Sequence, residues 1–236
     1  MRAAFRGRFK TKTDIQVIEE KPTAFFGGSF DPPHLGHMAV AEAALRSGIC
    51  GHVAWVPAYA PPHKQESTAA FPDRMAMVEA AISGHDDMSA SRIEEELHFT
   101  PSYTFEVLEA WEERFGAPPA LLIGADSLRE LHTWHRAAEL VERFRIISYP
   151  RDGRPVTVAE LSRRWPERTA KKLFSGMLAG DFFEISSSEL KNRMEKFAAA
   201  GDIISLKEYL APGVCDYIVS RGLYAPKTSG WRMNGQ

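Results

Sequence analysis

Two histidines, His34 and His37, stand three residues apart in the stretch FFGGSFDPPHLGH, Phe25 to His37. On the first turn of a helix that spacing puts both imidazoles on one face, so both are expected to look into the crevice above the strand ends. Imidazole titrates near pH ~6.5, so such a pair can donate hydrogen bonds to phosphate oxygens and carry charge once a phosphate is beside it. Just upstream, Gly27, Gly28 and Ser29 form a turn tight enough for a ligand to reach main-chain N–H groups. Pro32 and Pro33 set the path into the helix, whose positive dipole end points back at the turn. The glycine spacing is neither that of the P-loop nor GxGxxG. A loop shaped by its prolines, with two surface histidines, is the bland account; a strand, a glycine turn, paired imidazoles and a helix start in one place favour an anion seat.

EISSSELKNRM, Glu184 to Met194, repeats the physics with other residues. A strand is expected to end at Ile185, and Ser186 with Glu189 reads as a capping box. A good N-cap alone would explain that pair. Ser186, Ser187, Ser188 and Lys191 crowd hydroxyl, backbone and ammonium donors at one helix N-terminus, which makes a second phosphate seat. Two seats on one sheet imply a polyphosphate held at both ends.

The elements that must position these seats are legible as periodicity. Runs at Thr23–Gly27, His52–Pro57, Ala120–Gly124, Arg145–Tyr149 and Phe182–Ile185 read as short strands with nearly continuous apolar faces, the pattern of parallel strands buried on both sides. Helical patterns lie between them at Gly36–Arg46, Pro72–Ile82, Ser102–Phe115 and Ser187–Ala199, each closed by a glycine. The alternation predicts an α/β fold, a doubly wound, mostly parallel, Rossmann-like sheet with a helical C-terminal part. The charged text between Pro150 and Asp181 predicts one or two surface helices inserted before the last strand. Leu210, Val214, Tyr217 and Ile218 predict a terminal helix packed on the core.

With 236 residues, one main domain over 22–224 is expected, flanked by a flexible leader, 1–21, and a disordered tail, 225–236. The leader has five basic residues before its first acid, but its amphipathic periodicity is poor. A formal net charge of −2 gives no global pull toward nucleic acid or anionic lipid, so anions must be met locally. Cys50 and Cys215 form neither a disulfide framework nor a zinc site, which fits a reducing cytoplasm. No apolar run is long enough to span a bilayer. No protein metal site, nucleic-acid partner or membrane partner is expected, and homo-oligomerisation is left open.

These residues resemble the nucleotidyltransferase superfamily that carries the HxGH motif, and within it the bacterial nicotinate-nucleotide adenylyltransferases. The likeness runs from Pro22 to Tyr224 through GGSFDPPHLGH, PPHK (Pro61 to Lys64), PSYTFEVLEAW (Pro101 to Trp111), LLIGADSLRELHTWH (Leu121 to His135), ISSSELK and YIVSRGLY. HxGH marks only the superfamily; PSYT, IGADSL and TWH together narrow it. The resemblance implies adenylyl transfer from ATP to nicotinate mononucleotide, with Mg²⁺ carried on the nucleotide. It implies that His34 and His37 contact the ATP phosphates, that Gly28, Ser29 and Phe30 offer backbone donors, and that Ser186 and Ser187 hold the β and γ phosphates beside Lys191. Gly124 and Asp126 would meet the adenosine, Asp126 accepting from a ribose hydroxyl. Lys64, Tyr103, Thr104 and Trp134 would meet the acceptor, the indole stacking on its pyridine ring. Lys191 stands where family members usually have Arg, and Ala58 and Tyr59 where an Asn is often found. Open beside this reading are another phosphate acceptor, such as phosphopantetheine or nicotinamide mononucleotide, and a nucleotide binder without chemistry.

Overall fold

The structure is a computed structural model that describes residues 21–59, 68–98, 100–151, 153–180, 186–200 and 202–225. Its strands are β1 (Thr23–Gly28), β2 (His52–Pro57), β3 (Met88–Ala90), β4 (Ala120–Gly124) and β5 (Arg145–Tyr149). They pair in the order β3-β2-β1-β4-β5, every neighbouring pair parallel. The apolar runs are continuous because both faces are covered: along β1, Ala24 and Phe26 point into one core while Phe25 points into the other. β2 and β4 divide in the same way, Val53 and Trp55 against Ala54 and Val56, and Leu122 against Leu121 and Ile123.

The first core packs beneath α1 (Leu35–Arg46), α2 (Phe71–Ala81), α9 (Ser187–Ala200) and α10 (Pro212–Arg221). The second packs beneath α3 (Ile93–Leu97), α4 (Thr104–Phe115), α5 (Ala125–Glu130), α6 (Ala137–Arg143), α7 (Val158–Leu161) and α8 (Glu167–Ser175). Chain order reverses between β1 and β4, which opens a crevice at their carboxyl ends. This is the doubly wound arrangement that the alternation predicts.

Helix ends follow local chemistry with small shifts. Gly116 closes α4 in the left-handed region, φ 74°, with its N–H on Glu112 O. α4 starts at Thr104 rather than Ser102, because Tyr103 is still extended. Between Pro150 and Asp181 the two expected helices appear as α7 and α8, and the chain then returns to the sheet edge. Ser148 N–H donates to Gly176 O at 2.9 Å and Leu178 N–H to Ser148 O at 2.7 Å, so residues 176–178 run parallel to β5. The strand expected at Phe182–Ile185 lies outside the described residues. At the C-terminal end Leu210, Val214 and Ile218 are buried as the pattern requires, whereas Tyr217 is half-buried and donates its hydroxyl to Asp73 on α2 at 2.9 Å. No helix among the described residues is long and apolar enough to cross a membrane.

Candidate active site

At the reversal point the ends of β1 and β4 open into a cavity of about 660 Å³, within the ~300–1,000 Å³ typical of small-molecule sites. Its walls include Gly28, Ser29, Phe30 and His37 from the β1–α1 junction, and Ser186, Ser187 and Lys191 from the start of α9. Gly124 from β4 and Tyr103, Thr104 and Trp134 complete them, so most residues singled out by motif meet in one space. The two junctions expected to seat phosphates line the same hollow. Lys64 lies outside the described residues.

The histidines divide their positions. His37 lines the cavity; His34, 6% exposed, does not, which corrects the expectation that both rings face the crevice. The cause is local: His34 is the extended N-cap of α1, one residue before the helical spacing begins. Its ring stacks on that of His37 with centroids 3.7 Å apart and planes at 28°. The His34 backbone N–H donates to His37 Nδ1 at 3.1 Å. An Nδ1 that accepts leaves the neutral His37 ring with its proton on Nε2, an N–H donor. Burial, with the charge of Arg151 adding to it, pushes His34 down to about 4, so at neutral pH it is an uncharged ring whose buried Nδ1 has no hydrogen-bond partner among the described residues.

Phe30 adopts φ 46°, uncommon for a bulky residue, because its ring is held inside the core, 5.1 Å from the His37 ring and 5.0 Å from Trp55 by centroid. The turn therefore seats His37 through aromatic packing as well as backbone geometry. At the second seat, Ser186 Oγ accepts from Glu189 N–H at 3.1 Å, half of the expected capping box; the Glu189 carboxylate turns instead to Arg193. Ser187 Oγ donates to Pro32 O at 3.1 Å, so that hydroxyl ties the two seats together.

Asp126 is not on the cavity wall. Its carboxylate lies at the rim, 3.4 Å from Arg151 Nη1, and a Cβ on Gly124 would come within 2.4 Å of Asp126 Oδ1. Gly124 is thus the residue that lets this acid fold back over the end of β4. On the opposite wall Tyr103 stacks on His135, centroids 4.4 Å apart and planes at 25°, and His135 Nε2 is 3.0 Å from Glu106 Oε1.

Sequence reasoning missed several wall residues: Asp31, Glu94, His135, Tyr149 and Arg151. Asp31 Oδ1 accepts from Ala69 N–H and the Tyr224 hydroxyl, and Oδ2 from Thr68 N–H and Lys191 Nζ. Burial acts to raise its pKa, but the hydrogen bonds from Tyr224, Thr68, Ala69 and Lys191 prevail and hold it below the ordinary carboxylate range. Glu94 is pushed the other way: burial raises it despite the Tyr59 N–H at 2.9 Å, a bond from Ser102 and the charge of Arg74. Buried Arg74 donates to Ser29 O at 2.8 Å and so braces the β1 turn from below. For His135 and Arg151 a signal existed, the last letter of TWH and a basic residue just after a strand. For Asp31 and Glu94 the partners are remote in sequence.

Comparison with known proteins gives the same picture. The cytidylyltransferase-like family model matches residues 25–193. A "Probable nicotinate-nucleotide adenylyltransferase" of Serratia proteamaculans is 35% identical over 216 residues, 85% of this chain and 94% of the relative. The chain belongs to the nicotinate-nucleotide adenylyltransferase family. Another member, of the same description, from Exiguobacterium sibiricum is 34% identical over 72% of this chain and 84% of its own length. In fold alone, the chain is similar to the Plasmodium falciparum nicotinic acid mononucleotide adenylyltransferase complexed with NaAD, TM-score 0.69 at 21% identity, over 86% of this chain and 97% of that one. Family membership accounts for an α/β nucleotidyltransferase with its motifs drawn to the switch point of the sheet.

Proposed function

We infer that this chain transfers the adenylyl group of ATP to nicotinate mononucleotide, giving nicotinate adenine dinucleotide and pyrophosphate. The observation that carries the reading is the single cavity on which the β1 turn, His37 and the start of α9 face the Tyr103, Thr104 and Trp134 wall. One end is built for phosphates and the other for a flat ring. A phosphate oxygen of the mononucleotide attacks the α-phosphorus of ATP in line; the new P–O bond forms as the bond to the β-phosphate breaks, and pyrophosphate departs.

No side chain need act as nucleophile, so the protein's part is to position the groups and neutralise charge. His37 Nε2–H and the backbone N–H groups of Gly28, Ser29 and Phe30 are the donors for the phosphates near the reacting phosphorus. The hydroxyls and N–H groups of Ser186 and Ser187, with Lys191, receive the β and γ phosphates. His34, neutral and stacked behind His37, fixes that ring and lends its own nitrogen if the two shift on binding. Gly124 and Asp126 serve the adenosine end, with Arg151 beside them. Tyr103, Thr104 and Trp134, with Lys64, serve the acceptor.

Mg²⁺ enters on ATP as part of the substrate. The wall carboxylates, Asp31 and Glu94, are already occupied by protein donors, and among the described residues no group of three or more His, Cys, Asp or Glu could hold a metal ion. The partners of this reading are small molecules, ATP and nicotinate mononucleotide. Cys50 and Cys215 are buried free thiols whose pKa burial raises to about 11, so neither is a reactive thiolate, and a cytoplasmic setting belongs to this reading. The test is pyrophosphate release by the purified chain with ATP and a panel of acceptors. Nicotinate mononucleotide is expected to give the highest kcat/KM; preference for nicotinamide mononucleotide, or activity only with phosphopantetheine, would overturn the acceptor assignment.

A further inference from the structure

Asp31 and Tyr224 have no part in the chemistry above, yet they meet at its centre. The Asp31 side chain is 4% exposed and lies between the β1 turn and α9. Tyr224 OH donates to Oδ1 at 2.7 Å and Ala69 N–H to the same oxygen at 3.0 Å; Thr68 N–H donates to Oδ2 at 2.8 Å and Lys191 Nζ at 3.0 Å. Three donors come from groups that burial or backbone fixes in place, so the carboxylate cannot turn to follow a ligand. Lys191 is different. Its side chain is 28% exposed on the cavity wall, and its ammonium also donates to Thr68 Oγ1 at 3.1 Å.

An ammonium is a point charge on a flexible four-carbon stem, without the planar fork by which a guanidinium orients itself on phosphate. Its place at a seat has to be set by a partner. Resting on the adenylyl-transfer reading, we propose that Tyr224 and Asp31 are positioning residues: Tyr224 holds the Asp31 carboxylate in one orientation, and Asp31 holds the Lys191 ammonium at the phosphate seat beside Ser187. A residue just beyond the end of α10 thereby sets how well the triphosphate is gripped. Ser187, bonded to Pro32 O, keeps the start of α9 against the same loop, so the relay spans one short rigid bridge.

A double-mutant cycle tests this. Affinity for a non-hydrolysable ATP analogue is measured by calorimetry for the parent chain, Tyr224→Phe, Lys191→Met and the double variant, with the melting temperature of each. With Lys191 present, Tyr224→Phe is expected to weaken binding by about three- to tenfold, the size of a coupled hydrogen-bonded pair. With Met in that place, adding Tyr224→Phe is expected to change nothing. Equal weakening in both backgrounds, or a fall in melting temperature without any loss of affinity, would overturn the relay. Should Tyr224→Phe not fold, Asp31→Asn takes its place in the cycle, since it keeps the shape and reduces the pull on the ammonium; the same two outcomes decide. Failure of the underlying reading shows elsewhere, as a parent chain that releases no pyrophosphate from ATP and nicotinate mononucleotide.

Discussion

His37 and His34 share a motif but not a task. The Nδ1 of His37 is committed to a backbone N–H, so the ring offers Nε2–H to the cavity wall it occupies. Loss of one preorganised donor to a transition state costs on the order of 10²-fold in kcat; His37→Ala is expected to show a fall of at least that size with its circular dichroism unchanged, and near-normal turnover would remove His37 from the site. His34 makes a prediction about pH. Its folded pKa, about 4, lies below the unfolded value, so the unfolded chain binds the extra proton first as pH falls. Its contribution to stability is complete above pH ~6.5 and is lost progressively toward pH ~4, by on the order of 3 kcal/mol. Urea unfolding of the parent and His34→Gln at pH 7 and pH 4.5 should therefore give a smaller pH dependence in the variant, and equal slopes would contradict the buried neutral ring. On the acceptor side, Trp134→Ala is expected to raise KM for nicotinate mononucleotide by roughly tenfold, the order of one lost aromatic stack and its burial, with KM for ATP little changed; an unaltered acceptor KM would count against stacking. Spacing and residue type were enough to single out His37 and Trp134, which line the cavity, but they misplaced His34, which does not. They could not find Asp31 or Glu94, because a carboxylate's role here is set by which donors the fold brings to it, and for Asp31 one of those, the Tyr224 hydroxyl, lies 193 residues away.

Strands and helices were the more legible layer. β2, β4 and β5 coincide with their apolar runs, since a strand buried on both faces has no polar alternation to blur its ends. β3 was missed: Met88–Ala90 is three residues long at the sheet edge, with one buried side chain and no run to detect. α5 and α6 were missed because each is a short helix whose surroundings, rather than its own period, fix it. The return of residues 176–178 to β5 was also invisible, being made by backbone hydrogen bonds. It rests on Gly176, where a Cβ would stand 2.0 Å from Ile146 O, a backbone atom with nowhere to go. Gly176→Ala is therefore expected to destabilise the fold by about 2 kcal/mol or more, lowering the melting temperature by roughly 4–8 °C. Because Gly176 is outside the cavity wall, kcat and both KM values measured well below the melting point should stay close to those of the parent. A variant as stable as the parent would mean that this edge pairing yields easily.

Taken together, the sheet and both helical layers put the cavity across a seam rather than inside one part. The cavity draws walls from β1 and β4, from α9 on one core and from the Tyr103 and Trp134 segments on the other. A triphosphate held at the β1 turn and at the start of α9 closes that seam, and unfolding must then first release the ligand. At a free ligand concentration 100 times Kd the added stability is about 2.7 kcal/mol, and for a chain of this size each kcal/mol raises the melting temperature by roughly 2–4 °C. A non-hydrolysable ATP analogue with Mg²⁺ is thus expected to raise the melting temperature by about 5–10 °C. Adenosine at the same concentration should raise it far less, because under the proposed reading it would reach only the Gly124 end. Replacing Ser186 and Ser187 together by Ala should remove much of the difference between the two ligands while leaving the adenosine shift intact. If adenosine alone matched the triphosphate, the grip would lie at the end of β4, and the two junctions with their serines and imidazole would not be the clamp.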